Sequence, residues 1–207
     1  MFSSQGNQYL LFILTALLIY GCSEITEPDN SINELIPLKI GNTWNYKMTS
    51  YDSTGVILYY EDINSSIDKD TTINGLKWYG YNSMPPGIWY INKSDGYWTF
   101  VKGGTGNILN DTSLVVYKYP TQVGEIYGVT ETLREVISVD EIITVPAGEF
   151  KVIHLLTTFV GSTNYLLDSF EIFITPGVGV IKVMQIGKRY DGTKFVVYKN
   201  ELTSFSI

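Results

Sequence analysis

The chain has 207 residues, 44% of them hydrophobic, a formal net charge of −7 at pH 7 and a single cysteine. The acidic balance argues against nucleic acid as a partner and against a basic surface for anionic lipid headgroups. Because one cysteine cannot form a disulfide within the chain, the fold must depend on its hydrophobic core.

The first predicted element is an apolar run from Tyr9 to Gly21, followed directly by Cys22. About twelve apolar residues span only about 18 Å as a helix, too short to cross a membrane. The pattern predicts a lipoprotein signal peptide over residues 1–21, with Cys22 as the lipid-bearing first residue of the mature chain. An ordinary secretory signal is the alternative, because no Lys or Arg precedes the run and Tyr20 is large for its position.

Lipidation of Cys22 would decide where the protein resides. We expect N-terminal acyl groups, palmitate among them, to anchor it in the bacterial cell envelope. The expected site is the outer membrane, on its periplasmic face or at the cell surface. Two or more acyl chains hold a protein stably on a bilayer, at about 0.8 kcal/mol per buried CH₂.

After the cysteine, two segments differ in composition and in periodicity. Residues 22–35 are polar and acidic and lack periodicity, so we predict a flexible acidic tether. Residues 36–207 have a length typical of one domain, and we predict a single β domain there.

The domain shows an apolar pattern of period two, interrupted by turn residues. Over 43–49, Trp44, Tyr46 and Met48 fall on one face, which predicts the first strand. Further strands are predicted over 56–62, 63–72, 77–82, 88–92, 97–101, 114–119, 129–139, 142–145, 150–159, 165–175, 178–187 and 193–205. Turns are predicted at 52–55, 74–75, 94–96, 146–148 and 191–192.

This spacing favours antiparallel hairpins and disfavours parallel α/β folds. No stretch of ten or more residues shows a convincing helical stripe, although Glu131 to Ser138 could form a short helix. We expect an all-β domain of about ten to thirteen strands, as antiparallel sheets forming a curved open barrel or a sandwich.

Residues with catalytic or metal-binding chemistry are few. The single histidine, His154, lies among apolar residues of a predicted strand, so we expect it to be packed. One histidine and no further cysteine exclude the usual zinc sites. Asp68, Asp70 and Asn74 superficially resemble a calcium loop but lack its late Glu, so we predict a hairpin. We therefore expect no cofactor and no metal, and assign no catalytic residue.

Aromatic residues are the one compositional excess. Seven of them lie within 21 residues: Trp78, Tyr79, Tyr81, Trp89, Tyr90, Tyr97 and Trp98. Aromatic side chains fill cores well, but an exposed platform would also suit a sugar ring or another amphipathic ligand. A curved sheet with an apolar concave face would instead hold a lipid or acyl chain.

These observations favour a membrane-tethered, non-catalytic domain that binds a glycan, a lipid or an envelope protein. A glycan- or peptide-directed hydrolase is one alternative, and it would need two acids brought together by the fold. A structural or assembly lipoprotein, contacting a partner through edge strands, is another.

Three short motifs carry a resemblance to a known group of proteins. They are PLKIGNTWNY from Pro37, VPAGEFK from Val145 and TPGVGVIK from Thr175. Together they resemble the landmarks of uncharacterised secreted or lipid-anchored bacterial β proteins of the TapB-like group, over about residues 36 to 200. The resemblance implies a β fold and an envelope location, and it brings no catalytic residues.

Overall fold

The computed structural model describes residues 34–102, 112–129, 132–159 and 167–207. Cys22, the predicted signal peptide and the predicted tether up to residue 33 lie outside these residues. None of the described residues belongs to a helix that could cross a membrane. The described strands are β1 (Thr43–Tyr51), β2 (Ile57–Ile73), β3 (Leu76–Tyr81), β4 (Ile88–Lys93), β5 (Gly96–Val101), β6 (Thr112–Lys118), β7 (Ile126–Val129), β8 (Thr132–Val145), β9 (Gly148–Phe159), β10 (Ser169–Thr175), β11 (Gly179–Lys188) and β12 (Lys194–Ser206).

All twelve strands belong to one antiparallel sheet that curls into a nearly closed barrel. The order across it is β6-β5-β4-β3-β2-β1-β12-β11-β10-β9-β8-β7. Neighbours in sequence are therefore neighbours in the sheet, except that β12 returns to pair with β1 and β6 and β7 form the two edges. The prediction of an all-β antiparallel fold is confirmed, as a curved, incompletely closed barrel.

Strand β2 bends the sheet. Its first part, Ile57 to Ser66, pairs with β1, and its second part, Ile67 to Ile73, pairs with β3. The sequence predicted two strands here, whereas the structure has one of 17 residues. Side-chain amides bridge the bend: Asn82 donates to Asn64 at 3.3 Å, and Asn64 donates to Asn45 at 2.8 Å.

Side chains rather than a strand ladder close the gap between the two edges. Arg134 of β8 donates to the carbonyl oxygen of Val116 in β6 at 2.5 Å and to Thr157 Oγ1 at 3.2 Å. The backbone N–H of Lys118 donates to the hydroxyl of Tyr127 at 3.2 Å, and its ammonium group lies 2.7 Å from Glu125. The barrel is thus joined at this seam without continuous pairing.

The segment before β1 packs across one end of the barrel. The Glu34 carbonyl accepts from Gly177 at 2.9 Å, and the Ile36 carbonyl accepts from Asn92 Nδ2 at 2.8 Å. Leu35, Ile36 and Leu38 are 2–7% exposed. The packed domain therefore includes Leu35, one residue before its predicted start, because that side chain joins the core.

Most predicted turns follow from local chemistry. Asn74 and Gly75 both have positive φ, at 53° and 78°, which the β2–β3 hairpin requires.

The predicted run 129–139 divides into the end of β7 and part of β8, which continues through 142–145. Over 132–138 the chain is strand, so the helical alternative is wrong for these residues. Pairing with β9 holds them extended.

Candidate functional site

A half-open cavity of about 280 Å³ lies inside the barrel, beneath the bend of β2. Its aromatic lining is Trp44, Tyr46, Tyr81, Tyr90, Tyr97 and Tyr117. Its other lining residues are Ile36, Ile63, Ser65, Ser83, Met84, Val116, Val180 and Asn200. None of these described residues is charged, so the cavity presents a neutral and largely apolar surface.

One wall of the cavity is a ladder of tyrosine rings contributed by successive strands. The ring of Tyr90 in β4 stacks on Tyr97 in β5, with centroids 5.3 Å apart, and Tyr97 stacks on Tyr117 in β6 at 6.0 Å. Tyr81 of β3 meets Tyr90 edge-on at 5.2 Å. The period of two places these rings on one face, and antiparallel pairing brings them side by side.

The polar tips of several rings are already bonded within the protein. Trp44 Nε1 donates to the Val178 carbonyl at 2.7 Å, and the Tyr46 hydroxyl donates to the Val180 carbonyl at 2.9 Å. The buried Tyr97 hydroxyl donates to the Tyr81 hydroxyl at 3.1 Å. These bonds fix the rings in place and satisfy the polar atoms at their tips.

Burial makes the tyrosine hydroxyls poor acids. It raises the pKa of Tyr90 to about 12, with a further contribution from the nearby Tyr117. The pKa values of Tyr46, Tyr81, Tyr97 and Tyr117 are also raised, in each case chiefly by burial. At neutral pH the cavity therefore keeps neutral hydroxyls and no general base of this kind.

One polar atom in the cavity wall is buried without a partner. Among the described residues, nothing hydrogen-bonds to Asn200 Oδ1. An amide oxygen has two lone pairs, and leaving it unpaired away from water costs about 1–3 kcal/mol. Because this oxygen is fully buried, it costs stability and is closed to a ligand in the cavity.

The cavity opens beside the β3–β4 turn. Ser83 and Met84 line it and are exposed, and Met84 has 41% of its surface accessible. Across the opening, the Ser83 hydroxyl lies 3.1 Å from that of Ser65 on β2.

The seven aromatic residues proposed from the sequence divide between the two faces of the sheet. Tyr79, Tyr81, Tyr90 and Tyr97 face inward, and the last three of them line the cavity. Trp78, Trp89 and Trp98 face the opposite side. The fold therefore brings together the tyrosines of this set and separates them from the tryptophans.

The tryptophan face is largely covered. Trp78 is 3% exposed and packs on Phe100, with ring centroids 5.7 Å apart. The ammonium group of Lys93 lies 3.9 Å from the centre of the Trp98 ring. Because a cation occupies that ring face, it is less available for stacking on a sugar.

Several cavity residues were not in the predicted set. Trp44 and Tyr46 already shared a predicted face of β1, and Tyr117 lies in a predicted strand, so period two could have suggested all three. Asn200 carried no such signal, because a polar residue in a strand is ordinarily exposed.

No acidic side chain is among the described residues that line the cavity. On the opposite face of the sheet, His154 stacks on Phe173 at 4.2 Å, and its Nδ1 lies 2.9 Å from Glu141. Its Nε2 lies 3.5 Å from Glu171. His154 is packed, as predicted, and among the described residues no cluster of three or more suitable side chains could hold a metal ion.

A second exposed feature lies at the tip of the β1–β2 hairpin. Five consecutive residues, Val56 to Tyr60, are 44–61% exposed. From Ile57 to Ser65, β2 pairs along one side only, with β1, within the described residues. This half of β2 therefore has one unpaired edge, which a partner protein would contact if the protein has a structural or assembly role.

Comparison with family models and with curated proteins gives no match. Among solved structures, the chain is similar to a candidate exported protein with a YmcC-like fold from Bacteroides fragilis. The TM-score is 0.53 at 10% identity, over 84% of this chain and 100% of that one. It is also similar to a candidate lipoprotein from Parabacteroides distasonis, with a TM-score of 0.50 at 16% identity, over 84% and 99%. At these identities the likeness establishes a shared fold, which is YmcC-like.

Proposed function

We propose that this chain is a lipid-anchored protein of the bacterial envelope whose β domain binds a small ligand in the tyrosine-lined cavity. The observation that carries the proposal is the cavity itself, about 280 Å³ in volume, half-open and lined by six aromatic rings without a charged group. Ligand sites are typically apolar concavities with a few placed polar groups, and this cavity is at the small end of that range.

The neutral lining favours binding over reaction. The hydrolase alternative needs two acids facing a cleft, at roughly 5 to 10 Å from each other. The described cavity residues include no acid. The buried tyrosines, with raised pKa values, stay protonated at neutral pH and supply hydrogen bonds rather than proton transfer.

Two observations support the envelope location. Of the two similar proteins, one is described as exported and the other as a lipoprotein. Cys22 directly follows an apolar run and a small residue, as a lipidation site requires. The same proposal includes anchoring in the outer membrane, acylation by palmitate and membership of the TapB-like group.

Binding can be tested on the chain from residue 22 onward carrying Cys22→Ser, so that no acyl chain competes for the cavity. Calorimetric titration with 1-octanol, octanoate and glucose covers an alcohol, an anion and a sugar. We expect at least one of them to bind. Filling the cavity with Ile63→Trp should weaken that binding at least tenfold.

Ile57→Trp is the matched control, because it places the same bulk on an exposed part of the same strand. It should leave binding unchanged. Val116→Trp fills the cavity from the opposite wall and serves if Ile63→Trp does not fold by circular dichroism. No binding of any of the three compounds, or equal binding by a folded cavity-filled variant, would contradict the proposal.

A further inference from the structure

The open side of β2 gives this protein an interaction surface outside the cavity. We propose that an extended, basic segment of another protein adds to the sheet there, as a strand antiparallel to β2 along residues 59–64. Its backbone bonds to the open edge, and its Lys or Arg side chains pair with Glu61 and Asp62. This surface goes beyond the proposed function, because it does not depend on what the cavity binds.

Hydrogen bonds at the bend of β2 fix the direction of its backbone groups. Ile67 accepts from the Gly41 N–H at 2.9 Å and donates to the Asn42 carbonyl at 3.0 Å, on the β1 side of the strand. The Ser66 carbonyl accepts from the Asn82 N–H at 3.0 Å, on the β3 side. Because backbone groups alternate between the two sides of a strand, the even-numbered residues of this stretch point away from β1.

The same alternation applies along the open part of β2. The register with β1 is regular from Tyr59 to Ser66, with no bulge between them. The N–H and C=O groups of Tyr60, Asp62 and Asn64 therefore point to the open side, where no described strand pairs with them. Each residue has one donor and one acceptor, so this edge presents a template for an added strand.

The apolar side chains beside this edge lack the usual protection. Val56 to Tyr60 are 44–61% exposed and include neither Lys nor Pro, residues that commonly block edge strands. Beyond Val136, β8 also pairs on one side only within the described residues, but two register shifts around Ser138 interrupt it. Such irregularity disfavours strand addition, so β2 is the more suitable edge.

Two acids give the edge its charge preference. Glu61 and Asp62 are exposed, and neither forms an ion pair within the part of the chain that the structure describes. Lys47 lies across from Asp62 in β1, but its ammonium group is directed to the Tyr60 ring, 4.3 Å from the ring centre. A partner strand with Lys or Arg opposite these acids gains opposite-charge pairs across the sheet.

The same acids disfavour a second copy of this chain as the added strand. A symmetric antiparallel pair centred on the open groups of Tyr60, Asp62 and Asn64 places Asp62 opposite its own copy. Like charges directly opposite each other destabilise a sheet, and the chain as a whole has a net charge of −7. A basic segment of a different protein therefore fits this edge better.

Three synthetic peptides test the proposal on the same soluble chain, which carries Cys22→Ser. The acetylated and amidated peptide VTVKKVTV can extend the sheet, and its adjacent lysines face opposite sides as Glu61 and Asp62 do. VTVEEVTV reverses its charge, and VPVKKVPV keeps the charge but replaces both threonines by proline, which cannot donate to a strand ladder. In calorimetric titration VTVKKVTV should bind at least tenfold more tightly than either of the others. It should also slow the exchange of the amide protons of Tyr60 and Asp62.

Reversing the charge of the edge assigns the preference to its residues. Glu61→Lys combined with Asp62→Lys should switch the preference to VTVEEVTV. Asp68→Lys combined with Asp70→Lys is the matched control, because it makes the same change in net charge on the part of β2 that pairs with β3. It should leave the preference for VTVKKVTV as in the wild type. Glu61→Gln with Asp62→Asn serves if the charge-reversed variant does not fold, and it should abolish the preference.

Several outcomes would overturn the proposal. Equal binding of VPVKKVPV and VTVKKVTV would rule out strand addition. A folded charge-reversed variant that still prefers the basic peptide would rule out the role of the two acids, and no binding of VTVKKVTV to the wild-type chain would rule out the surface. A wild-type dimer in sedimentation velocity that VTVKKVTV dissociates would identify a second copy as the occupant instead.

Discussion

At the scale of single residues, the tyrosines of the cavity are the most informative group. The pKa values of five of them are raised, because burial disfavours the phenolate. The hydroxyls of Tyr46 and Tyr97 donate to partners within the protein, which fixes these rings in place. The same burial that prepares a neutral binding surface also makes the fold sensitive to alkali.

The sign of that sensitivity follows from linkage. The folded-state pKa values lie above 10.0, their ordinary value, so the unfolded chain loses these protons first as pH rises. Their contribution to stability is complete below about pH 10 and is lost above it, at up to about 1.4 kcal/mol per pH unit for each tyrosine. We expect cooperative alkaline unfolding, with near-ultraviolet tyrosinate absorbance rising together with loss of the circular dichroism signal.

Tyr97→Phe sharpens this prediction. At neutral pH it should lower the free energy of unfolding by about 1 kcal/mol, because the Tyr81 hydroxyl loses its donor. Above pH 10 stability should fall less steeply than in the wild type. Tyr59→Phe, at a residue that is 51% exposed, should change neither quantity. Equal alkaline slopes for Tyr97→Phe and the wild type would show that Tyr97 titrates normally in the fold.

At the scale of elements, the barrel depends on how its two edges meet. Backbone pairing joins each strand to its neighbour in the sheet order, at a single pair between β3 and β4, but β6 and the β7–β8 hairpin meet through side chains. Arg134 is central there, since its guanidinium also lies over the ring of Tyr117, 5.4 Å from its centre. The seam therefore supports the outermost ring of the tyrosine ladder.

Arg134→Ala should open this seam. The expected cost is about 1.5–3 kcal/mol, as for a hydrogen bond to a charged group, and amide protons of β6 should exchange faster than those of β1. Hydrogen exchange resolved by residue measures both effects. Arg189→Ala is the matched control, because Arg189 also donates to a backbone carbonyl, that of Ser53, but at exposed turns. Unchanged exchange in β6 would mean that contacts other than those of Arg134 hold β6 at the seam.

At the scale of the whole molecule, the domain is closed at one end by the segment that leads into β1. Glu34 and Ile36 bond to distant turns and strands, so the predicted tether joins the domain at a packed position. Lipidation at Cys22 would place twelve residues, 22–33, between the lipid and the first described residue. Fully extended, these reach about 40 Å, enough to hold the cavity away from the bilayer.

Cys22→Ser tests the anchor. Without the thiol no acyl group can be attached, so the protein should move from the membrane fraction to the soluble fraction of fractionated cells. Ser23→Ala changes the neighbouring residue and should leave the distribution as in the wild type. Membrane retention of Cys22→Ser after a high-salt wash would show that another feature of the chain holds it there.

Much of the fold was accessible from the sequence. Period-two patterning and the turns at residues 74–75, 146–148 and 191–192 predicted most strands, since both signals are local. The bend of β2 was missed, because a single continuous strand can pair with different neighbours along its length. The predicted run 129–139 also joined residues that the structure assigns to two strands, the end of β7 and the first part of β8.

The candidate site was only partly predictable. Tyr81, Tyr90 and Tyr97 were in the predicted set, but the alternation that separates them from Trp89 and Trp98 did not reveal which face would be enclosed. By itself the sequence determined an acidic all-β domain and predicted a lipidation signal before it, because composition, periodicity and turn chemistry are local properties. Only the tertiary structure decided that β3–β6 face β1 and β12 across a cavity, because Tyr46, Tyr117 and Asn200, which line it together, are distant in sequence.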